Sequence, residues 1–572
     1  MITTGRLRLH IKTTLLLLLL LLSMPISSQD TLPKYETRAI WLTTLNKLDW
    51  PKTNATSQAS VEKQKSELCQ ILDQLQKAGV NTVMLQTRVR ATTIYPSAIE
   101  PWDFCLTGTT GKAPGYDPLA YAIEECHKRG MELHAWIVTI PVGKWKAEGC
   151  KRLRKKMPAV IKKIGDEGYM NPEKKETGDY IAKICKEVVS NYDVDGIHLD
   201  YIRYPETWKF NVTKNQGRKY ITDIVRKIHT AIKQEKKWVK LTCSPIGKYD
   251  NLTRYSSKGW NAKTRVCQDA QEWLRMGIMD GLYPMMYFSG NDFYPFAIDW
   301  KEQSYGRTIV SGLGIYFLRD RNWPLEEVKR QMSVSRRLGI GHAYFRSQFF
   351  TGNIKGIYDF AANEFDNHPA LVPAMTWCSD AKPDAPEYLN AERLAYADHI
   401  SWNEGKNNSD GDYLMYNIYA SDEYPVDIND ARNIVKSRVR GNSYTIKYDN
   451  MYRTAKNYAV TAVDRYGNES DAIHTKAVAS SSKSYSNNGT MFRMPALPVY
   501  LDAQFYVIEN TRKEIVAAVP YYKATDISTL RDGIYIVRTI CNKARTHRVG
   551  WLKIHTDRTK GKGYTLTTVW KK

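Results

Sequence analysis

The sequence lacks the short motifs that mark several enzyme classes. It contains no GxSxG motif, so nothing indicates the nucleophile elbow of an esterase. It contains no HxH or HExxH spacing that would favour a bound metal ion. No glycine-rich loop follows the first predicted strand, which disfavours a nucleotide-binding open sheet. No zinc-finger or homeodomain pattern is present, so the sequence predicts no nucleic-acid partner.

Cysteines are few and scattered. The nine cysteines among 572 residues form no CxxC pair, so they indicate neither a disulfide framework nor a zinc site. Their odd number leaves at least one thiol free or intermolecular. None precedes Cys69, which argues against a lipoprotein anchor.

Long apolar runs are absent after residue 28, so we expect no stable transmembrane anchor. The N-terminus itself has the pattern of a signal peptide. Basic residues up to Lys12 precede the run Leu15–Leu22, and Ser27 and Ser28 provide a small-residue cleavage neighbourhood. The segment 1–28 therefore predicts an exported protein that is periplasmic, extracellular or at the cell surface.

The charge balance is strongly basic. The chain has 83 Lys and Arg against 60 Asp and Glu, a formal charge of +23. The run Lys151–Lys163 carries much of this excess with helix-like spacing. Such a surface favours acidic polymers or anionic surfaces, although a generally basic, non-specific surface explains it as well.

Residues 36–365 alternate short apolar strands with amphipathic helices, a pattern that favours parallel β/α units. Asp117-Pro118 has the pattern of a helix N-cap followed by proline at the first helical position, and Gly130 closes that helix. Eight repeats predict an α/β fold, a (β/α)8 TIM-type barrel with enlarged loops. The predicted strands are Ala39–Thr44, Val80–Gln86, Glu132–Val138, Gly196–Tyr201, Lys240–Ser244, Gly281–Tyr287, Thr308–Ile315 and Gly341–Phe345.

A barrel of this type carries its chemistry at the C-terminal ends of its strands. Polar and aromatic residues are frequent at these predicted positions. In the fourth repeat the segment Asp193–Pro205 would place Asp200 at the catalytic end of the strand, beside Tyr201 and Arg203. A carboxylate there is where a glycosidase barrel would position an acid, a base or a charge stabiliser. The structural alternative is an aspartate that only orders its loop by pairing with Arg203.

Several long segments resemble bacterial glycosyl hydrolase-like family 10. They are ETRAIWLTTLNKLDWP (36–51), the stretch 94–136, NYDVDGIHLDYIRYP (191–205), SPIG (244–247) and DGLYPMMYF (280–288), and together they span nearly all of 36–365. The resemblance implies a (β/α)8 barrel that acts on glycosidic bonds. Some members of similar architecture cut bacterial cell-wall glycans, including peptidoglycan strands without stem peptides. The resemblance marks Gln86, Arg88, Glu100, Trp102, Asp117, His134, Trp136, His198, Asp200 and Tyr287.

The chain departs from this family at two places beside the predicted cleft. Thr92-Thr93 stands where members often have an aspartate, and Ile137-Val138-Thr139 stands where an Asn-Pro pair often follows His-Ala-Trp. The fourth strand also faintly resembles the chitinase pattern, but Ile202 replaces the catalytic glutamate. A substrate-assisted route stays open, with Asp200 orienting an N-acetyl group.

A glycosidase needs a second carboxylate, and the sequence offers several. We choose Glu100, because the adjacent Pro101-Trp102 would form a stiff aromatic wall. The predicted catalytic pair is therefore Asp200 and Glu100. The other candidates are Asp292, Asp299 and Asp320, whereas helix capping explains Asp117.

The remaining site predictions concern substrate binding. Trp102, Trp136 and Tyr287 would stack on sugar rings, and polar side chains would bind hydroxyl or acidic groups. His134, His198 and Asp200 could also mimic a metal-binding triad, but sugar binding is the favoured interpretation, so no metal or other cofactor is predicted. The predicted substrate-binding residues are Gln86, Arg88, Trp102, His134, Trp136, His198, Tyr201, Arg203 and Tyr287.

The C-terminal third predicts two β-rich units. Residues 387–480 resemble a fibronectin type III sandwich, which would act as a spacer more often than as a sugar binder. Residues 480–490 have the composition of a flexible linker, and 495–572 form a small β-rich domain. Its segment Asp526–Val537 is similar to sorting-type C-terminal domains of exported Bacteroidetes proteins.

The sequence thus predicts an exported glycoside hydrolase acting on a polysaccharide or oligosaccharide. Two alternatives stay open. One is a non-catalytic glycan-binding protein on a decayed barrel, and the other is a polysaccharide deacetylase or related metal hydrolase that uses the two histidines.

Overall fold

The computed structural model describes residues 32–393, 397–447, 455, 457–479, 484–495, 503–541 and 545–568. The predicted signal peptide, 1–28, lies outside these residues. Among the described helices, none is long and apolar enough to cross a membrane. No disulfide bond joins any of the nine cysteines, all of which lie within the described residues.

Eight parallel strands close into a barrel, as the sequence predicts. Around the barrel each strand pairs with its sequence neighbours, and the eighth closes on the first through Ala39 opposite Ala343. The sixth strand is shorter than predicted because Pro284 has no N–H to donate. The barrel strands are β1 (Arg38–Leu42), β2 (Thr82–Arg88), β3 (Glu132–Val138), β4 (Gly196–Asp200), β5 (Lys240–Cys243), β6 (Gly281–Leu282), β7 (Thr308–Leu313) and β8 (Gly341–Tyr344).

Helices surround the barrel and bury one face each against its strands. The Asp117 carboxylate accepts hydrogen bonds from the N–H groups of Leu119 and Ala120, at 3.0 and 3.1 Å, so the predicted N-cap is confirmed. Gly130 adopts a φ of +77° after this helix, as a terminating residue must. The main helices are α1 (Gln58–Lys77), α2 (Pro118–Lys128), α3 (Lys175–Asn191), α4 (Lys214–Glu235), α5 (Ala270–Arg275), α6 (Tyr294–Glu302) and α7 (Leu325–Arg337).

Side chains fill the barrel interior, so it is a packed core and not a pore. Trp41, Met84, Tyr283 and Val310 pack there with small residues from β1 and β8. Toward the C-terminal end of the strands the same cluster continues into Trp136 and Val138, with Tyr201 and Phe345 half-buried against it. This end is the floor of the candidate site.

A compact subdomain follows β3 at this same end of the barrel. We call residues Pro141–Met170 the basic insert. It contains a three-stranded antiparallel sheet, with Glu167–Met170 between Pro141–Lys144 and Ile161–Ile164, and a helix at Glu148–Lys156. The helix-like spacing predicted for Lys151–Lys163 is therefore wrong beyond Lys156, since Pro158 interrupts the helix and the chain turns into a strand.

Antiparallel β-sheets follow the barrel. Two four-stranded sheets lie within residues 387–479, and a six-stranded sheet with a two-stranded partner lies within 484–568. Ser484–Asn488 pairs with Gly561–Thr568 as an edge strand, so the predicted linker is wrong over these residues. The fibronectin type III identity of the first unit stays a prediction.

The first C-terminal unit is fixed to the N-terminal end of the barrel by buried charges. Arg438 lies 3.1 Å from the Glu132 carboxylate of β3 and also pairs with Asp195, which precedes β4. Lys240 of β5 pairs with Glu132 at 2.6 Å, and His127 contacts Asp195 at 2.8 Å. A network of this kind holds the two units in a fixed relation.

Candidate active site

Asp200 ends β4 at the floor of the candidate site. The backbone N–H of Tyr201 and the hydroxyl of Ser244 donate to its Oδ1 at 2.8 and 3.1 Å. The indole N–H of Trp136 donates to its Oδ2 at 3.2 Å. The Asp200 residue is only 8% exposed. Burial raises the pKa of Asp200 above its usual value, although Arg203 and these three donors favour the ionised form.

The loop after Asp200 turns sharply and returns charged groups to the site. Tyr201 has a φ of +54°, in the left-handed region that a tyrosine rarely adopts. The Arg203 guanidinium lies 4.3 Å from the centre of the Tyr201 ring and pairs with Glu206 at 2.8 Å. The Arg203 side chain is buried, whereas about half of the Glu206 side chain is exposed. Asp200 and Glu206 therefore flank one buried cation.

Aromatic side chains form a wall beside Asp200. Tyr287 packs on Phe345 and Tyr316, with ring centroids 5.3 and 5.7 Å apart. The Tyr287 hydroxyl is buried and has no hydrogen-bond partner within the described part of the chain. Burial holds its pKa well above the ordinary value, with smaller contributions from Tyr316 and Asp200. It is therefore a protonated donor without a partner, beside a carboxyl group.

Glu100 and Arg88 form a buried ion pair against an outer helix. The Arg88 guanidinium donates to both Glu100 oxygens, at 2.7 to 3.1 Å, and the hydroxyl of Tyr180 on α3 donates to Oε1 at 2.9 Å. Arg88 also donates to the Thr139 carbonyl at 3.0 Å. The pairing of β2 with β3 shifts register between Gln86 and Arg88, and this bulge directs the Arg88 side chain toward α3.

The two histidines lie inside the barrel. His198 is fully buried, accepts from the Trp41 indole N–H at 3.2 Å and contacts the Thr242 hydroxyl at 3.0 Å. Burial lowers its pKa well below the usual value, with a smaller contribution from His134. His134 lies deeper, 3.2 Å from Glu132 near the N-terminal end. Among the described residues, no three His, Cys, Asp or Glu side chains cluster as a metal site requires.

The two other predicted binding residues, Gln86 and Trp102, have structural contacts of their own. The side-chain oxygen of Gln86 accepts from the N–H groups of Thr44 and Leu45, at 3.1 and 2.9 Å, and so orders the loop after β1. Trp102 is half-buried against the core outside the barrel. The structure therefore brings together five of the predicted residues, which are Asp200, Trp136, Tyr201, Arg203 and Tyr287.

At both places where the sequence departs from the family pattern, a threonine forms a structural hydrogen bond. Thr92 donates to the Asp103 carboxylate at 2.6 Å, within the loop after β2. Both the N–H and the hydroxyl of Thr139 donate to the backbone carbonyl of Asp200, at 2.9 and 2.8 Å. The second departure thus supports the backbone that carries the key carboxyl group.

Sequence reasoning missed two residues of the site, Ser244 and Glu206. Ser244 begins the SPIG segment, so a signal for it was present in the resemblance. Glu206 follows the NYDVDGIHLDYIRYP segment directly and lies outside it. Of the other carboxylates considered, Asp292 pairs with Lys248, Asp320 with Arg319, and Asp299 accepts from Gln271.

Comparison with known proteins identifies the family. The family model described as glycosyl hydrolase-like 10 matches residues 36–218. Glycosyl hydrolase YngK of Bacillus subtilis (strain 168) is 30% identical to this chain over 484 residues, an alignment that covers 76% of this chain and 92% of the relative. The chain belongs to the glycosyl hydrolase-like 10 family.

Two further similarities are to a second sequence relative and to a solved structure. Glycosyl hydrolase DigH of Escherichia coli (strain K12) is 32% identical over 288 residues, which cover 44% of this chain and 65% of the relative. The endo-1,4-beta-mannanase of Rhizomucor miehei aligns with a TM-score of 0.38 and 11% identity, over 57% of this chain and 94% of that protein. Membership of the glycosyl hydrolase-like 10 family implies catalytic activity and a carbohydrate substrate at the family level.

Proposed function

We propose that this protein is an exported glycoside hydrolase that cleaves glycosidic bonds in a bacterial cell-wall polysaccharide. Peptide-free glycan strands of peptidoglycan are the first candidate substrate. The observation that carries the proposal is Asp200, a buried carboxyl group at the C-terminal end of a barrel strand that accepts a hydrogen bond from Trp136. Nearby, the buried hydroxyl of Tyr287 has no hydrogen-bond partner among the residues that the structure describes. This is the position at which barrel enzymes hold their reacting groups.

The surroundings of Asp200 fit an acid better than a permanently ionised base. Burial raises its pKa, so the protonated form persists to higher pH than in an exposed aspartate. A protonated Asp200 would donate to the glycosidic oxygen as that bond breaks. Trp136, Tyr201 and Tyr287 would contact the sugar ring, and the Tyr287 hydroxyl would donate to a substrate oxygen.

The second carboxylate has two candidates with different environments. Glu100 is the one predicted from the sequence, but Arg88 and Tyr180 already occupy its oxygens. Glu206 is half-exposed and pairs only with Arg203 within the described part of the chain. Its exposed side is open to water, which suits a base that activates a water molecule.

A non-catalytic glycan-binding role is the second candidate function. The observation that favours it is the buried ion pair of Glu100, together with Thr92-Thr93 in place of the family aspartate. Such a protein would keep the aromatic wall and lose the acid–base pair. It would therefore bind a glycan without producing new reducing ends.

Product release measured by mass spectrometry tests the proposal. Wild type, Asp200→Asn and the matched control Asp292→Asn are incubated with peptidoglycan, peptide-free strands, chitin oligomers and a panel of plant and host polysaccharides. We expect new reducing ends from wild type and the control, and a loss of about 100- to 10,000-fold in Asp200→Asn. Binding without any product in wild type would instead favour the glycan-binding role.

Export is part of the proposal and needs its own test. The support is the sequence pattern of residues 1–28, with its basic start and leucine run. Fractionation of cells that express the full chain should recover a shortened form outside the cytoplasm. A full-length form that stays in the cytoplasm would contradict this part of the proposal.

A further inference from the structure

The basic insert, Pro141–Met170, concentrates positive charge beside the candidate site. It contains nine lysines and arginines against three acidic residues. A helix C-terminus favours cations in the last turn of Glu148–Lys156, but this effect does not require them to be exposed and without an ion pair. It does not account for Lys146, Lys162 and Lys163, which lie on the other parts of the insert. The excess is therefore a property of the whole subdomain.

The cations of the insert fall into two groups. The first group is held by neighbours: Lys144 pairs with Glu167 at 3.4 Å and Arg152 pairs with Glu148 at 2.7 Å. Arg154 and Lys163 lie over the Trp145 ring at 4.4 and 5.6 Å, and Lys162 lies over the Trp208 ring at 4.2 Å. A second group is exposed and forms no ion pair with any residue that the structure describes. This second group consists of Lys146, Lys151, Lys155 and Lys156.

The insert is joined directly to the floor of the site. Its first strand begins three residues after Val138, the residue opposite Asp200 in the pairing of β3 with β4. Between them, Thr139 donates twice to the Asp200 carbonyl, and Met170 closes the insert on the Ile140 carbonyl at 2.8 Å. Arg90, from the loop after β2, also reaches Glu167 of the insert at 3.4 Å. The insert is therefore held next to Asp200 by both backbone and side-chain contacts.

We propose that the basic insert is a binding surface for carboxylate groups carried by the glycan strand itself. The proposal rests on the proposed function, and it names the substrate as an anionic strand with a free carboxylate on its sugars. Lys151 and Lys155 are spaced by one helical turn, so their ammonium groups share one exposed side of the helix. Lys156 is exposed at the last residue of the same helix. Exposed cations add affinity and speed to the encounter with an anionic polymer, and salt screens the effect.

Two matched triple variants test this surface. The first carries Lys151→Ala, Lys155→Ala and Lys156→Ala, and the control carries Lys63→Ala, Lys77→Ala and Lys183→Ala on the exposed sides of α1 and α3. Each changes the charge by the same amount. Each protein is assayed on peptide-free strands and on the same strands after chemical reduction of the carboxylates to alcohols.

We expect the insert variant to raise KM about tenfold on the carboxylate strand at low salt, with little change in kcat. On the reduced strand it should match wild type, and the difference should shrink as salt is added. The control variant should match wild type on both strands. An insert variant that matches wild type on the carboxylate strand, or that loses equally on both strands, would overturn the proposal.

Direct binding separates this proposal from the hydrolase proposal. Co-sedimentation of each protein with insoluble strands requires no turnover. If wild type cleaves nothing but binds the carboxylate strand, and the insert variant does not bind, the surface stands and the hydrolase proposal fails. If instead the insert variant keeps strand binding and loses binding to duplex DNA or to vesicles with anionic lipid, the surface belongs to another partner and the proposal is wrong.

Discussion

The indole N–H of Trp136 on β3 donates to Oδ2 of Asp200 on β4 across 3.2 Å. Val138, two residues beyond Trp136, lies opposite Asp200 in the pairing of these strands, so the indole reaches the carboxylate from below. The other carboxylate oxygen accepts from Tyr201 and Ser244. This relationship fixes the direction of the carboxyl group before any substrate arrives, as a preorganised acid requires.

Removal of the Trp136 donor should shift the pH profile upward. The indole hydrogen bond favours the ionised carboxylate, so Trp136→Phe should raise the pKa of Asp200 further. If protonated Asp200 is the acid, activity falls as the pH rises through its pKa. The basic limb of kcat/KM against pH should therefore move to higher pH in the variant, and an unchanged or lowered limb would contradict this role.

Asp200 should also affect stability in a pH-dependent way. Folding raises the pKa of Asp200, so the native state binds more protons than the unfolded state. The contribution of Asp200 to the free energy of unfolding therefore falls as the pH rises through the folded pKa. Asp200→Asn removes the free-energy cost of ionising this buried carboxyl group. Thermal unfolding should therefore show a higher Tm for the variant than for wild type above that pKa, with the difference shrinking toward acidic pH. A lower Tm for the variant at neutral pH would argue against the raised pKa.

Glu100 and Glu206 should respond differently to neutralisation. Glu100→Gln leaves the buried Arg88 cation without its partner, so we expect a loss of about 3–5 kcal/mol in the free energy of unfolding. Glu206→Gln affects a half-exposed pair and should cost at most about 1 kcal/mol. If Glu206 is the second carboxylate, this variant folds normally and loses turnover. Denaturant unfolding and product release measured together distinguish the two glutamates. A Glu100→Gln variant that is stable but inactive would identify Glu100 as the second carboxylate.

Arg438 should couple the first C-terminal unit to the barrel. Its removal leaves Glu132 and Asp195 buried with fewer cations, so Arg438→Ala should cost about 3–5 kcal/mol. Arg440→Ala, a half-exposed neighbour, is the matched control. Calorimetry should show two separated transitions in Arg438→Ala, and a single unchanged transition would show that the charges do not couple the units.

The coupling between the first C-terminal unit and the barrel should weaken at acidic pH. Although burial opposes ionisation, Lys240, His134 and Arg438 hold the pKa of Glu132 at about 2. A carboxylate with a lowered folded pKa stabilises the protein above its ordinary pKa and loses that contribution as the pH falls through the folded one. The difference between wild type and Arg438→Ala should thus be largest above pH 4.5 and shrink as the pH approaches about 2.

The barrel fold could be predicted from the sequence alone. Buried strands leave continuous apolar runs, and the helices between them repeat at 3.6 residues, so both patterns are local and can be read along the chain. The position of Asp200 followed from the same logic, since the last residue of a parallel strand lies at the catalytic end. Asp117 as an N-cap followed from one residue and its proline neighbour.

Which polar side chains share the site depends on how distant segments of the chain meet in the fold. Gln86 and Arg88 have the same parity on β2, and alternation alone would place both on one face. The bulge between them breaks the alternation, so Arg88 turns to α3 and takes Glu100 into a buried ion pair. A bulge depends on the register with the neighbouring strand, which is a contact between segments distant in sequence. For the same reason the hydrogen bonds of Asp200 to Trp136 on β3 and to Ser244, directly after β5, could not be predicted before the strands were placed side by side in the barrel.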